Sequence, residues 1–215
     1  MDRMESRIPV VGISGSLRPV SYTRMALVIA LQGAQEVGAR TRLINLRDYD
    51  LAFCDGKEDE SSYPQDVFKL REEVRQAQGI VLGTPEYHGS FSGVLKNALD
   101  LMGFAEFEGK MVGLVGVSGG QMGAVNALNS LHTVGRALYA WVVPEQVSIP
   151  TAWQAFDGSG KLIDSRLEER VKEVGRQVAR FAYLHTSDKV QEFLSSWEST
   201  PANPGGEQSI EWPET

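Results

Sequence analysis

One cysteine, Cys54, stands in 215 residues. An intramolecular disulfide is therefore excluded, and so is an iron–sulfur cluster held by the cysteines of one chain. The three histidines, His88, His132 and His185, are far apart in sequence and show no metal-ligand spacing, so no metal site is expected. Lys and Arg are outnumbered, 21 against 28 Asp and Glu for a net charge of -7, and nowhere do they gather into a basic face; nucleic acid is excluded as a partner. No apolar run is long enough to cross a bilayer. Met1 to Arg7 is polar and charged, without the apolar core of a signal peptide, and a cytoplasmic protein is expected.

What is present is an alternation of two periodicities. Ile8 to Ser14 is a short β-branched run that ends in a tight Gly/Ser loop, and an Ala/Leu-rich helical segment follows over 21–37. Thr41 to Leu46 alternates polar and apolar residues as a strand with unequal faces. A helix is predicted over 65–78, then the run Gly-Ile-Val-Leu-Gly-Thr from Gly79, too apolar for a surface strand. Helix over 93–102, buried strand over 111–118, helix over 121–138, an irregular strand around Pro144 and a final amphipathic helix over 164–185 complete five strands and five helices. Such alternation demands parallel pairing with right-handed crossovers and helices on both faces. The expected class is α/β, a doubly wound five-stranded parallel sheet in three layers, spanning residues 1–186.

From Ser187 the composition changes. Six acidic residues oppose the single Lys189, and Pro201, Pro204, Gly205 and Gly206 interrupt the stretch, so residues 187–215 are expected to form an acidic, solvated tail. Trp197, Ile210 and Trp212 leave open an arm that docks on the body or on a second subunit.

In an open doubly wound sheet the ligand lies beyond the carboxyl ends of the strands, where strand order reverses. The loop after the first strand reads Ser14-Gly15-Ser16-Leu17-Arg18-Pro19-Val20-Ser21-Tyr22-Thr23. A fresh helix start, several hydroxyls and one guanidinium meet there, each suited to an anion; the same Ser and Thr residues also suit ordinary helix capping. The loop lacks both the Gly-Lys-Ser/Thr of a nucleoside triphosphate loop and the three glycines of a dinucleotide fingerprint. A phosphate monoester such as that of FMN fits it better than a bridging pyrophosphate. After the third strand comes Thr84-Pro85-Glu86-Tyr87-His88-Gly89-Ser90-Phe91-Ser92-Gly93, a rigid entry, an aromatic and then small residues where backbone can approach a flat ring. Glu86 and His88 are equally at home as exposed turn residues.

The pair Gly15-Ser16-Leu17-Arg18-x-x-Ser21-x-Thr23 and Thr84 through Asp100 (TPEYHGSFSGVLKNALD) resembles the NAD(P)H-dependent FMN reductase family, over about Ile8 to His185. The resemblance implies a flavodoxin-like fold with strand order 2-1-3-4-5, FMN as cofactor, NADPH or NADH as hydride donor, and a small acceptor such as a quinone, free flavin, azo compound or metal ion. It implies that Ser14, Ser16, Arg18, Ser21 and Thr23 hold the phosphate. Family members often carry Asn where this chain has Thr23, and the threonine hydroxyl keeps a donor. It further implies that Pro85, Glu86, Tyr87, His88, Gly89 and Ser90 line the isoalloxazine, and that Ser118, Gly119 and Gly120 approach from its other edge. No residue is expected to be an essential nucleophile; Tyr87 and His88 are the candidates for shaping the acceptor face. The basic residues considered for a ribose 2′-phosphate are Arg18, Arg24 and Lys110. Small-residue helices beside the ring, together with the family's habit, point to a homodimer or homotetramer.

Two other readings are open. A non-catalytic flavodoxin-type electron carrier shares the fold, the FMN and an acidic surface. Gly116-Val117-Ser118-Gly119-Gly120 matches a nucleophile elbow, with Asp157 or Asp164 and then His185 in the chain order of a serine hydrolase.

Overall fold

A computed structural model describes residues 8–57 and 59–199. Five strands form a parallel sheet: β1 (Pro9–Ser14), β2 (Arg40–Asn45), β3 (Gly79–Tyr87), β5 (Met111–Val117) and β6 (Trp141–Ile149), side by side as β2-β1-β3-β5-β6. A sixth, β4 (Ser90–Phe91), folds back antiparallel on the end of β3. The five parallel strands keep the expected order. The sheet count of six differs from the expected five because the loop after β3 closes as a hairpin.

Alternation along the central strands separates two cores. Val10, Val81 and Val115 face one side, where they pack with α1 (Tyr22–Glu36) and α7 (Ser165–Thr186). Ile13, Ile80, Leu82 and Leu114 face the other, against α2 (Gln65–Arg75), α3 (Gly93–Asp100) and α5 (Val125–Ala137). Burial on both faces is why β3 and β5 read as continuous apolar runs rather than as alternating strands. Three further α-helices, short or peripheral, are found among the described residues: α4 (Phe104–Phe107), α6 (Ala152–Ala155) and α8 (Asp188–Glu198).

Several elements depart from the sequence expectations, each for a local reason. The fifth helix starts at Val125 rather than 121, because residues 119–123 form turns. The last strand is nine residues long and irregular around Pro144, as expected: its register against β5 shifts between the Val112–Val142 and Leu114–Gln146 pairs, and the residue without an N–H falls in that bulge. The first part of the acidic segment forms α8, whose residues are all exposed or half-exposed, Phe193 and Trp197 among them. Residues 200–215, with Ile210 and Trp212, and residues 1–7 lie outside the described residues.

Helices α1 and α7 lie almost backbone to backbone. A Cβ at Gly33 would sit 2.0 Å from the Lys172 carbonyl oxygen, and one at Gly175 would sit 1.7 Å from that of Ala30. At the rim of this contact the Glu36 carboxylate is held by Lys172 at 3.1 Å and by Arg176 at 2.6 Å, and these two cations keep it below the ordinary carboxyl range. Gly175→Ala must therefore push two helices apart across an otherwise filled core. The expected cost is about 3 kcal/mol or more, a fall in Tm on the order of 6–12 °C for a domain of this size, checked by thermal unfolding followed by circular dichroism.

Candidate active site

The loop after β1 is fixed at its first residue. The Gly15 N–H donates to the Gly83 carbonyl at 2.8 Å, and the Ser92 hydroxyl donates to the Gly15 carbonyl at 2.6 Å, so the loop is tied to β3 and to the start of α3 together. Beyond it Ser16, Ser21 and Thr23 are buried, and Ser21 caps α1 by accepting the Arg24 N–H at 3.2 Å. Two loop carbonyls are taken up by guanidinium groups: Pro19 by Arg24 at 2.5 Å and Leu17 by Arg47 at 2.7 Å. The Arg18 guanidinium enters no ion pair among the described residues. The first turn of α1 carries no acidic side chain, so nothing in it offsets the positive end of that helix. Ser14 lies beneath, fully buried, and its hydroxyl has no hydrogen-bond partner among the described residues.

The loop after β3 is a two-residue hairpin. Glu86 pairs with Phe91 and Tyr87 with Ser90, which leaves His88 and Gly89 at the turn with φ of 52° and 79°. Positive φ at both central residues is the requirement of a type I′ turn, whose twist suits a tight hairpin. Inside it the Thr84 hydroxyl accepts the Ser92 N–H at 3.0 Å and donates to the Pro85 carbonyl at 2.9 Å, satisfying buried groups locally.

The loop after β5 is held from two sides. The Ser118 hydroxyl accepts the Gly120 N–H at 3.1 Å, while the loop after β6 supplies two backbone bonds, Thr151 N–H to the Gly120 carbonyl at 3.1 Å and Ala152 N–H to that of Ser118 at 2.9 Å. Thr151 itself is left-handed, with φ of 45°, and this bend carries Trp153 back over the sheet end. From the other side Glu86 accepts the Ala127 N–H at 3.0 Å.

These loops enclose one open cleft of about 210 Å³ at the carboxyl ends of β1, β3, β5 and β6. Its wall contains Ser16, Arg18, Ser21, Thr23, Pro85, Glu86, Tyr87, Ser118 and Gly119. Ser14 lies under the floor, His88, Gly89 and Ser90 form the hairpin beside it, and Gly120 stands behind Gly119 as an acceptor for the loop after β6. Tyr22, Val117, Ala152 and Trp153 complete the wall and were not among the sequence candidates. Trp153 was legible in principle, since it follows the last parallel strand and the carboxyl-end rule covers that loop too; Tyr22 stood between two chosen hydroxyl residues.

The structure separates the serine-hydrolase residues. His185, near the end of α7, lies against Trp141 with ring centroids 5.9 Å apart and tilted planes, and Trp141 is the first residue of β6, at the amino end of the sheet. Ser118 follows the last residue of β5, at the opposite end. Asp157 is spent on its own turn, accepting the Ser159 and Lys161 N–H groups, and Asp164 caps α7. Lys110 is likewise removed from any nucleotide: it precedes β5 at the amino end, where its ammonium donates to the Val74 and Arg75 carbonyls and burial pulls its pKa down to about 8. Among the described residues no group of three or more His, Cys, Asp and Glu is placed to hold a metal ion, and no helix is long and apolar enough to cross a membrane.

A doubly wound sheet with a cleft at its switch point, between a hydroxyl-rich loop and an aromatic hairpin, is the flavodoxin-like arrangement. The chain belongs to the NADPH-dependent FMN reductase family, whose profile matches residues 8–154. An NAD(P)H-dependent FAD/FMN reductase of Geobacillus thermodenitrificans is 32% identical over 183 residues, 84% of this chain and 95% of the relative. An FMN-dependent NADPH-azoreductase of Staphylococcus aureus is 39% identical over 119 residues, 54% of this chain and 63% of the relative. Among solved structures, an apo NADH:FMN oxidoreductase superposes with a TM-score of 0.66 at 22% identity, covering 84% of this chain and 91% of that one. The protein is an FMN-dependent oxidoreductase that uses NAD(P)H, which sets aside the electron-carrier reading.

The hairpin turn gives a direct test of the local geometry. His88→Asn places a residue that tolerates the left-handed region at a position now strained, and the expected gain is up to about 1 kcal/mol, or roughly 2–4 °C in Tm. Thermal unfolding of the variant checks it; a fall in Tm would refute the type I′ assignment.

Proposed function

We propose that the α1 end of the cleft holds the FMN phosphate and that the flavin ring lies between the β3–β4 hairpin and residues 118–120. The observation that carries this is the meeting, in one cleft, of three buried hydroxyls, an unpaired guanidinium and an uncompensated helix start. A phosphate dianion uses all three features: the helix end attracts it, Ser16, Ser21 and Thr23 donate to it, and Arg18 forks onto two oxygens. The Ser14 hydroxyl, buried and without a partner, supports the same reading, because such a group is costly unless something meets it. Pro85 and the hairpin offer backbone to the ring, and Gly119 offers a surface on which a Cβ would meet nothing within 4 Å.

An FMN held at its phosphate by Ser16, Arg18, Ser21 and Thr23 would supply the hydride-accepting and electron-releasing chemistry. The protein's residues bind, orient and leave one face accessible, so no side chain is required as nucleophile or general acid. Tyr87, 44% exposed, and His88 border the acceptor approach from the hairpin, and Trp153, 61% exposed, faces it from the loop after β6. Two exposed aromatic side chains at the mouth favour flat conjugated acceptors, quinones, free flavins and azo compounds, over a metal ion. Similarity to an azoreductase supports that class. Of the expected unit 1–186, the described residues 8–57 and 59–186 form the flavin-binding body in this reading. Met122, 90% exposed, and Val125, 51% exposed, extend an apolar rim beside the cleft and support a homodimer or homotetramer. A reductase that draws on NAD(P)H is placed in the cytoplasm, where that donor is kept.

The test compares FMN with riboflavin, which lacks the phosphate, on the wild type and on Arg18→Ala. FMN is expected to bind the variant about tenfold or more weakly, the loss of a charge-assisted hydrogen bond, while riboflavin binding stays within twofold. Equal weakening of both would remove Arg18 from the phosphate. On the wild type, anaerobic NADPH and then NADH should bleach the bound flavin; flavin that only dithionite reduces would overturn the reductase.

A further inference from the structure

Helix α5 begins beside the cleft without a cap of its own. Its N-cap position is Ala124, its first turn carries no acidic residue, and two of its opening N–H groups are met only from elsewhere in the chain. Ser148, on β6, accepts the Ala124 N–H at 2.7 Å, and Glu86, on β3, accepts the Ala127 N–H at 3.0 Å. Ala127 is fully buried, so without Glu86 its N–H would be left without a partner.

The anchors of the segment 118–124 are unevenly distributed. Thr151, Ala152 and Ser148 all hold it from the side of β6. Among the described residues the Glu86 bond is the only hydrogen bond that crosses from residues 86–91 to residues 118–128. Glu86 therefore spans the two loops between which the ring is placed above, and its side-chain oxygen supplies the acceptor that the start of α5 lacks.

We propose that Glu86 is a positioning residue that fixes the width of the flavin cleft by capping α5 from the facing hairpin. The inference rests on the cofactor placement above, but the cap exists without cofactor and can be read without it. Because what the site needs is an acceptor at that point, a glutamine there serves and an alanine does not.

The experiment uses the full chain as wild type, Glu86→Ala and Glu86→Gln. In the flavin-free protein, amide exchange at Ala127 is expected to speed up about tenfold or more in E86A and to stay within threefold of wild type in E86Q, while the protected amides of β3 and β5 are unchanged. With FMN added, E86A is expected to bind about tenfold more weakly with a displaced visible absorption band, and E86Q to restore both the affinity and the band. Wild-type exchange at Ala127 in E86A overturns the cap. Exchange that rises while FMN affinity and spectrum stay at wild type overturns the positioning role. An E86Q as impaired as E86A shows that charge rather than geometry acts and also overturns it. If the wild type binds no FMN, the cofactor reading fails, and the exchange data alone still decide the cap.

Discussion

The site depends on the tie at Gly15. Both peptide groups of that residue are engaged across the sheet, the N–H by Gly83 and the carbonyl by Ser92, and a Cβ would fall 2.7 Å from the Leu95 Cβ and 3.1 Å from the Gly83 oxygen. Ser92 makes this tie while also accepting the Leu95 N–H as the cap of α3. One hydroxyl thus fixes the direction of a helix, the floor of the first loop and the exit of the hairpin. The loops that face the cleft are consequently not independent excursions from a rigid sheet. They are a hydrogen-bonded set in which moving one end costs bonds in another, which is the preorganisation a loosely held cofactor site would lack.

The opposite layer makes this arrangement possible by bringing its helices close. With Gly33 and Gly175 at their crossing, α1 and α7 meet at backbone distance, and α1 is drawn down onto β1 and β3. The amino end of α1 then opens directly above the end of β1, where Ser21 caps it and Arg18 stands free. Packing on one face of the sheet therefore sets the position of the anion-attracting end that the other elements surround.

Much of this was legible in the chain. The alternation of strand and helix, the two motif loops and the limits of most elements followed from period and punctuation, because the central strands are buried on both faces and announce themselves as apolar runs; the strand order came with the family resemblance. What was not legible has physical causes. The hairpin strand β4 exists through two residue pairs and a His-Gly turn, and histidine carries no strong signal for positive φ. The delayed start of α5 reflects caps supplied by Ser148 and Glu86, both distant in sequence from it. Arg47 acts on the first loop from the end of β2, 30 residues away. Contacts of that kind are fixed by the three-dimensional arrangement of strand ends, and local pattern does not contain them.

An acidic protein that binds phosphate-bearing ligands raises an apparent conflict, since a net charge of -7 should repel them. Distance removes the part carried by α8, where Asp188, Glu192 and Glu198 oppose Lys189. The acidic helix α8 follows α7, whose last turn lies at the amino end of the sheet against Trp141. The cleft lies at the other end, past the nine residues of β6. At roughly 3.3 Å per residue that separation is on the order of 26 Å, against a screening length of about 8 Å at physiological salt. Local charge therefore governs the cleft: Arg18, Arg24 and Arg47 surround the first loop, and the carboxylate of Glu86 is committed to the start of α5. Within the cleft the amino end of α1, with no acidic side chain in its first turn, is the feature that attracts negative charge.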